Sequence, residues 1–426
     1  MPSFPSRITI LLVVLLLAPA CKTRDAYYCE GAPNNNCLLG DADLTCSRSS
    51  ECPGDRPVCD VGGSGVCVQC TPAEDDACGG ATPACRDNTC QACAAHAECD
   101  SGACLPDGSC GDDANVAYVD PAGTDNANCT RAMPCTLVSK ALATNRPYVK
   151  LTGTTDESVI VDNGRVVTFL ADPGAKLTRM TGTGAIVTVR DNGTSLTIYD
   201  LSISDAPNSP SGIGIVIPTA AGAPTVTLTR ATVTNNPGGG ISASGGSLSV
   251  SQSTISGNAG GGIMVNSGTF VIVGNVFYAN GTLMGSVGGV SISTVQDASN
   301  RLDFNSFHGN QTQLGVGSAI QCVAGAFTAR NNIMSQNGTI TNMEQVGGAC
   351  THTYSIVRPG TVPPGAGNSN MDPMFVNSTT GDLHLSPSSP ALRAADPASD
   401  LTGLAARDID GDVRTSPADM GADEVP

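Results

Sequence analysis

The chain has few large aromatic residues and few cations. Tryptophan is absent, aromatic side chains make up 4% of the 426 residues, and there are four histidines. This composition argues against a core built on aromatic anchors. Lys and Arg number 21 against 38 Asp and Glu, which gives a formal net charge of −17. Such a charge opposes binding to nucleic acid, and also to anionic polymers unless a cation such as calcium intervenes.

Glycine and cysteine, by contrast, are abundant and unevenly placed. Fifty residues are glycine and nineteen are cysteine. All but two of the cysteines precede Met180. A chain of this length normally holds two or three domains, and the cysteines indicate a cysteine-rich N-terminal part followed by a cysteine-poor one.

Residues 1–20 are typical of a signal peptide. Arg7 precedes the apolar run ITILLVVLLLAPA, which is too short to cross a bilayer comfortably and stops at Cys21. Residues 17–21 resemble the lipobox of bacterial lipoproteins, which implies that Cys21 is lipidated and becomes the new N-terminus. The alternative is an ordinary cleaved signal with Cys21 in a disulfide, but the remaining eighteen cysteines form an even number. We expect residues 21–45 to be a lipidated linker that anchors the protein to a bacterial outer membrane or cell surface.

Residues 46–110 are predicted to form disulfide-rich repeats. Twelve cysteines fall into three blocks of four, which start at Cys46, Cys70 and Cys93. The tight pairs at the block junctions could also indicate zinc, but His96 is the one histidine in this region, and export favours disulfides. Segments this short need bridges to fold, and their connectivity is left open. A spacer or binding role fits them better than an enzymatic one.

The chain from Gly111 onward repeats itself. One asparagine per repeat recurs at intervals of 22, 22, 30 and 27 residues, at Asn236, Asn258, Asn280, Asn310 and Asn337. The positions three, eight and ten residues before each asparagine are almost all apolar. Periods of this size predict a solenoid.

Each repeat is interpreted as one coil. Positions ten and eight before the asparagine share one face of a strand, and the third position before it lies on a second short strand beyond a corner. Coils stacked at about 4.8 Å turn equivalent side chains into ladders that can serve as a thin aliphatic core. At the corner, Asn and Gly tolerate a left-handed backbone, and stacked Asn amides can hydrogen-bond along the ladder.

With these features, residues 115–426 resemble the right-handed parallel β-helix proteins of the pectate-lyase-like superfamily. AYVDPAGTD and AMPCTLVSKALA are similar to the family's first strand and capping helix, and the stretches NMDPMFVNSTTGDLHLSPSSPAL and DIDGDVRTSPADMGADE to its closing segment. Arg393 departs from the pattern, because relatives often carry Asp there. The fold expected for residues 111–426 is therefore an all-β, right-handed parallel β-helix whose helix at residues 137–143 and closing segment cover the open strand edges.

Two disulfides are expected in the solenoid, the first of them at the entry segment that the resemblance identifies. Cys129 and Cys135 are expected to tie the entry segment together. Cys322 and Cys350 remain, and we expect them to pair across adjacent coils or a loop.

Asp200 and Arg230 are the candidate catalytic residues. Family enzymes that act on polygalacturonate use acidic clusters on neighbouring coils, to bind calcium beside a basic residue or to act as acid and base. Asp200 and Arg230 share one column on adjacent coils, which places them about 5 Å apart. The alternative is a surface ion pair of little energetic value.

Tyr278 and His308 are the candidate ligand-binding residues. Their side chains are expected to point outward on successive coils, where an aromatic ring and an imidazole could stack on a sugar. The alternative is an exposed pair that binds no ligand. The stretch DIDGD, residues 408–412, suggests calcium, but a turn within the closing segment is preferred. His352 and His384 lie in less regular stretches and support no site.

The preferred function is a non-catalytic, monomeric surface lipoprotein whose β-helix binds a polysaccharide or cell-surface glycan. A polysaccharide lyase or glycoside hydrolase is the first alternative, and a structural envelope spacer is the second. The adjacent aspartates and Gly-His-Gly stretch of polygalacturonases are missing. This absence makes hydrolysis less expected, and whether the protein is an enzyme is left undecided. No cofactor is predicted, with calcium kept open, and the membrane contact is expected through the lipid alone.

Overall fold

A computed structural model describes residues 45–219, 222–325, 327–339 and 342–426. The predicted signal peptide and lipidation site at Cys21 lie outside the described residues. The described chain up to Ala92 belongs to one compact unit, and Cys93–Pro426 form a second. Within the described residues, no helix is both long enough and apolar enough to span a bilayer.

The first unit contains two disulfide modules. In the first module, β1 (Val58–Cys59) pairs with β2 (Cys67–Val68), and in the second, β3 (Ala84–Arg86) pairs with β4 (Thr89–Gln91). Each module begins with one 3-10 turn, at Ser49–Glu51 and at Asp75–Ala77. The bridges are Cys46–Cys59, Cys52–Cys67, Cys70–Cys85 and Cys78–Cys90. Their sulfurs are therefore not free thiolates, and the disulfide prediction is confirmed over the zinc alternative.

The third cysteine block folds in the same way but belongs to the second unit. Cys93–Cys104 and Cys99–Cys110 repeat the first-to-third and second-to-fourth connectivity, around the 3-10 turn His96–Glu98. Tyr118 donates its hydroxyl to the Ser101 carbonyl at 2.8 Å, and buried Ala103 packs with this ring. Because these contacts join the third cysteine block to the solenoid, the second compact unit begins at Cys93. The sequence analysis instead began the solenoid domain at Gly111.

The solenoid of the second unit is built from short strands and one helix, α1 (Val138–Ala143). In the first coils the strands are β5 (Val116–Val119), β6 (Tyr148–Leu151), β7 (Thr154–Asp156), β8 (Val159–Val161), β9 (Val166–Ala171), β10 (Lys176–Thr178), β11 (Val187–Val189), β12 (Ser195–Tyr199), β13 (Ser202–Ser204), β14 (Ile213–Ile217), β15 (Thr225–Thr229) and β16 (Thr232–Thr234). The later coils contribute β17 (Gly239–Ser251), β18 (Thr254–Ser256), β19 (Ile263–Val273), β20 (Val276–Tyr278), β21 (Val290–Ser293), β22 (Arg301–Asp303), β23 (Ser306–His308), β24 (Ile320–Ala324), β25 (Thr328–Arg330), β26 (Ile333–Ser335), β27 (Val346–Gly348), β28 (Thr351–Thr353) and β29 (Ile356–Arg358).

Each complete coil contributes a strand to each of three faces. The short-strand sheet is the face made of nine parallel strands, β7, β10, β13, β16, β18, β20, β23, β26 and β29. The other two faces form one sheet of 16 strands, because β17 and β19 continue around the corner between them. All neighbouring strands of the solenoid run parallel, and the predicted all-β parallel solenoid is confirmed.

The predicted apolar columns form the core. Val233 pairs with Ile255, and Ile255 with Phe277, in register along the short-strand sheet. Phe277 and Phe307 then stack with ring centroids 4.6 Å apart, and all four side chains are fully buried. The column eight residues before the asparagine is also fully buried, at Leu228, Val250, Ile272, Leu302 and Ala329. Ladders of small and medium side chains thus replace an aromatic core.

The repeated asparagines form the expected amide ladder but not the expected backbone. Asn236 Nδ2 donates to Asn258 Oδ1 at 3.0 Å, and Asn258 Nδ2 donates to Asn280 Oδ1 at 2.9 Å. The prediction that this asparagine is itself left-handed is wrong. The residue before it takes the positive φ, at 55° in Asn235 and 62° in Gly257. The asparagine side chain points inward and bonds to backbone groups, so the preceding residue makes the turn.

A second amide ladder, not predicted, lies at the corner before each short strand. Asn275 Nδ2 donates to Asn305 Oδ1 at 3.0 Å, and Asn305 Nδ2 donates to Asn332 Oδ1 at 3.0 Å. Again the preceding residue is left-handed, as in Phe304 with a φ of 56°. The short-strand sheet is therefore bordered by a polar ladder along each long edge.

The two ends are covered differently. Helix α1 buries Val138, Ala141 and Leu142 against the first coils, and Cys129–Cys135 bridges the entry segment as expected. At the other end, residues 366–369 pair with the last coil. The C-terminal segment, residues 371–426, then runs back along the side of the solenoid instead of remaining at its end.

The C-terminal segment contains the hairpin of β30 (Phe375–Asn377) and β31 (Asp382–Leu385) and the 3-10 turns Ser378–Thr380 and Gly403–Ala405. Its Asp408 carbonyl accepts a hydrogen bond from Gln252, and its Ala422 amide donates to Ser306 Oγ. Along this path it covers Val276, Ile333 and Ile356, which are apolar outward positions of the later short strands. Cys322–Cys350 connects neighbouring coils, as expected.

Candidate functional site

A groove of about 320 Å³ lies where the C-terminal segment meets the short-strand sheet. We call it the side groove. The solenoid contributes Arg230, Ala231, Thr232, Gln252, Thr254 and Val276, and the C-terminal segment contributes Gly381, Leu383, His384, Ile409 and Asp410. Its wall combines hydrogen-bonding groups with small apolar patches.

Of the predicted pair, Arg230 lines this groove, and Asp200 binds it from the adjacent coil. Both residues are left-handed corner residues, with φ values of 62° and 53°, which turn their side chains outward on adjacent coils. Arg230 binds Asp200 through Nε and Nη2, each at 2.7 Å, and its guanidinium lies 5.6 Å from the centre of the Tyr199 ring. The hydrogen bond to Asp200 raises the pKa of Arg230 further. Asp200 and Arg230 are thus in contact, and their catalytic role stays a prediction. Arg230 is a fixed cation that can bind an oxygen ligand.

His384, which supported no site in the sequence, carries the most chemistry. Asp382 and His384 lie two residues apart on β31, and His384 Nδ1 is 2.6 Å from Asp382 Oδ1. His384 Nε2 is 2.8 Å from Asp410 Oδ2. One donor atom each from His384, Asp410 and Asp423 lies within 4.8 Å of the other two. The alternation in DLHL was the signal that Asp382 and His384 share a side of one strand.

The charges in this cluster shift its titration. Partial burial alone would lower the pKa of His384, but the hydrogen bond to Asp382 and the charges of Asp410 and Asp423 together raise it. Burial raises the pKa of the Asp423 carboxyl to about 6. A carboxyl group that titrates near neutrality can act as an acid or a base.

The DIDGD stretch is a turn, as preferred. Buried Asp408 accepts hydrogen bonds from the amides of Asp410 and Asp412 through Oδ1, and from the Glu424 amide through Oδ2. Both carboxylate oxygens are thus bound to backbone amides, which fixes the turn and directs Asp410 towards His384. The calcium alternative for this stretch stays an untested prediction.

Tyr278 and His308 are adjacent, but the C-terminal segment packs against both. Their rings are nearly parallel, at 10°, with centroids 6.3 Å apart. The Tyr278 hydroxyl donates to the Thr379 carbonyl at 2.8 Å, and Phe375 meets the His308 ring edge-on. Burial lowers the pKa of His308. The expected open stacking surface is therefore partly covered, and ligand binding by this pair stays a prediction.

A second groove, of about 330 Å³, lies between the third disulfide module and the first coils. Lys150 crosses its floor and pairs with Asp172, and burial lowers the pKa of this lysine. His96 lines the groove as well, but its Nδ1 accepts a hydrogen bond from the Cys104 amide at 3.0 Å. Lys150 and Asp172 thus pair within the solenoid and His96 bonds within the third module, so these groups of the groove already have partners.

A family-model match supports the fold of the solenoid. Residues 179–358 match the family model of the right handed beta helix region, and residues 18–116 match a family of unknown function. The crystal structure of pectate lyase Pel9A is similar at 15% sequence identity and a TM-score of 0.39, over 73% of this chain and 96% of that one. No curated protein matches the sequence. The solenoid is a right-handed β-helix, and the cysteine-rich part matches a separate family.

Proposed function

We propose that the protein is a non-catalytic surface lipoprotein that binds a neutral polysaccharide or cell-surface glycan in the side groove. The observation that carries this proposal is the lining of the groove. A guanidinium, an amide, two threonine hydroxyls and a His–Asp pair are suited to hydrogen-bond sugar hydroxyl groups, while Val276 and Leu383 provide apolar contact. The net charge of −17 favours a neutral ligand over a polyanion.

Export and lipid anchoring at Cys21 belong to the same proposal. All sixteen cysteines of the described residues form disulfides, which supports an oxidising compartment. The lipobox-like sequence before Cys21 supports lipidation and, with it, a bacterial outer membrane or cell surface. Metabolic labelling with a fatty-acid analogue tests this part, because Cys21→Ser should abolish the label.

Binding is tested with the purified full-length chain on an array of neutral and acidic glycans, in the presence of a chelator. We expect binding to a neutral glycan that Arg230→Ala weakens by about tenfold, the effect of losing one charged hydrogen bond. Arg190→Ala is the matched control, because Arg190 forms a similar surface pair with Asp162 at 2.9 Å but does not line the groove. Equal loss of binding in both variants would contradict the assignment of the site.

A polysaccharide lyase or hydrolase is the second candidate, and the cluster of His384, Asp410 and Asp423 favours it. A carboxyl whose pKa is about 6, near an imidazole at a groove, is a feature of acid–base sites. New reducing ends, measured across the same glycans, distinguish the two candidates. Turnover that Asp410→Asn abolishes would replace the binding proposal with the enzymatic one.

A further inference from the structure

The carboxylate and imidazole groups at the side groove have the arrangement of a metal site. His384 Nδ1 lies 2.6 Å from Asp382 Oδ1, so a neutral His384 donates this N–H and keeps its lone pair on Nε2. In metal sites, the ring nitrogen of a histidine that does not bind the metal usually donates a hydrogen bond to a carboxylate or a carbonyl. Asp382 thus orients His384 towards Asp410 and Asp423.

The inner nitrogen is not satisfied by its neighbours. His384 Nε2 is buried and lies 2.8 Å from Asp410 Oδ2, but not in hydrogen-bonding geometry. Asp423, only 6% exposed, accepts the Leu385 amide at 2.7 Å through Oδ2, and no hydrogen bond to its Oδ1 is found among the described residues. Two carboxylates and one nitrogen lone pair therefore converge without hydrogen bonds among themselves, an arrangement that a cation would stabilise.

We propose that His384, Asp410 and Asp423 bind one first-row divalent cation such as Zn²⁺. The nitrogen ligand and the small number of carboxylates favour such an ion over Ca²⁺, which takes six to eight oxygen ligands. Three ligands from the protein are typical of a zinc site with an open position. Tetrahedral zinc with bonds of about 2.1 Å places its ligand atoms about 3.4 Å apart. His384 Nε2 and Asp410 Oδ2, 2.8 Å apart, would therefore open slightly, while ligand atoms at the 4.8 Å limit would close by about 1.4 Å.

The open position faces a place where a ligand can bind. His384 and Asp410 line the side groove, and Asp423 lies behind them in the protein. A water molecule or an oxygen atom of a bound ligand would complete the coordination from the groove. The metal site does not depend on the proposed glycan binding, which is tested separately with a chelator present.

The test is titration of the untagged, chelator-treated full-length chain with Zn²⁺ by calorimetry, and with Co²⁺ by visible absorption. We expect one saturable site per chain, and Co²⁺ bands typical of nitrogen and oxygen ligands. His384→Ala should abolish saturable binding. Asp382→Asn, which leaves all three ligands in place, should weaken it by about 10- to 100-fold. Asp412→Asn is the matched control, because it changes the same charge in the same turn outside the cluster, and it should bind as the unaltered protein does.

A second measurement avoids any dependence on the folding of variants. In the unaltered protein, Zn²⁺ should protect His384 from modification by diethyl pyrocarbonate, as followed by mass spectrometry of its peptide. Absence of saturable binding, equal titration of the unaltered protein and His384→Ala, or no protection of His384 would overturn the proposal. The four residues would then form an ion-pair network only.

Discussion

At the scale of the residue, His352 occupies a position that the preceding coils give to aliphatic side chains. It pairs in register with Ala329 and continues the column of Ile272 and Leu302 into the last coil. The side chain is 3% exposed, and its Nδ1 has no hydrogen-bond partner among the described residues. Burial alone lowers the pKa of His352 to about 4. The fold thus accommodates this imidazole in its neutral form.

The buried His352 predicts a pH dependence of stability. Its pKa is lower in the folded state, about 4, than its ordinary value of 6.5, so protonation favours the unfolded chain. The penalty is absent above pH 6.5, grows as the pH falls, and reaches about 3 kcal/mol near pH 4. Denaturant unfolding at several pH values should show that His352→Leu removes this loss relative to the unaltered protein. Parallel profiles of the two proteins between pH 7 and 4 would contradict it.

At the scale of the coil, the sequence predicted the stacked unit but not how its corners are made. The columns containing Val233 and Leu228 could be read because burial selects apolar residues at fixed spacing. The second ladder was missed although Asn275, Asn305 and Asn332 each stand five positions before a corner asparagine, because Ser253 occupies this position in the preceding coil and interrupts the repeat. The left-handed residues were misplaced by one position, because they vary from Asn235 to Ala279 and leave no pattern.

The amide ladder predicts a large effect of a single buried side chain. Asn258 accepts from the backbone and side-chain nitrogens of Asn236 and donates to the Val233 carbonyl and Asn280. Asn258→Ala leaves these buried groups without partners, so the free energy of unfolding should fall by about 3 kcal/mol. Asn266→Ala, on the exposed face with one bond to Ser244, should cost less than about 1 kcal/mol. Urea unfolding of both variants checks the difference, and similar costs would contradict the role of the ladder.

At the scale of the whole second unit, the path of the C-terminal segment divides the short-strand sheet into an open part and a covered part. The outward column runs through Thr232, Thr254, Val276, Ser306, Ile333 and Ile356, and the last four are buried. The shift towards apolar residues, interrupted by Ser306, was visible in the sequence. The sequence did not show that the C-terminal segment covers these positions. For the earlier strands the covering residues lie more than fifty positions further along the chain, and they belong to no repeat.

The same division explains how much of the candidate site could be predicted. Asp200 and Arg230 belong to the periodic solenoid, and their contact followed from the spacing of the coils. His384 lies on β31, while Asp410 and Asp423 come from irregular backbone, and none of the three belongs to a repeat that would indicate which residues meet. Their assembly depends on the turn around Asp408 and on the docking of β31, which are tertiary features.

The last prediction concerns what keeps the C-terminal segment on the solenoid. The Arg414 side chain is fully buried, lies 4.6 Å from the centre of the Phe304 ring, and donates to the carbonyls of Gly421 and Ala422 at 2.9 Å. Its Nη1 also reaches Glu424 at 3.4 Å. One side chain thus ties the end of the chain to itself and to the solenoid.

Arg414→Lys keeps the charge but loses the paired donors and the planar contact with the ring, so the segment should be destabilised by about 3 kcal/mol. Hydrogen exchange should then accelerate in residues 371–426 while residues 225–310 keep their protection, since the segment opens without unfolding the coils. Exposure of Phe304, Ile333 and Ile356 should also increase the binding of a hydrophobic dye. Arg393→Lys, at an exposed position of the same segment, is the control and should change neither. If exchange instead accelerated equally in both regions, the segment and the solenoid would form one cooperative unit, and the side groove could not open independently of the coils.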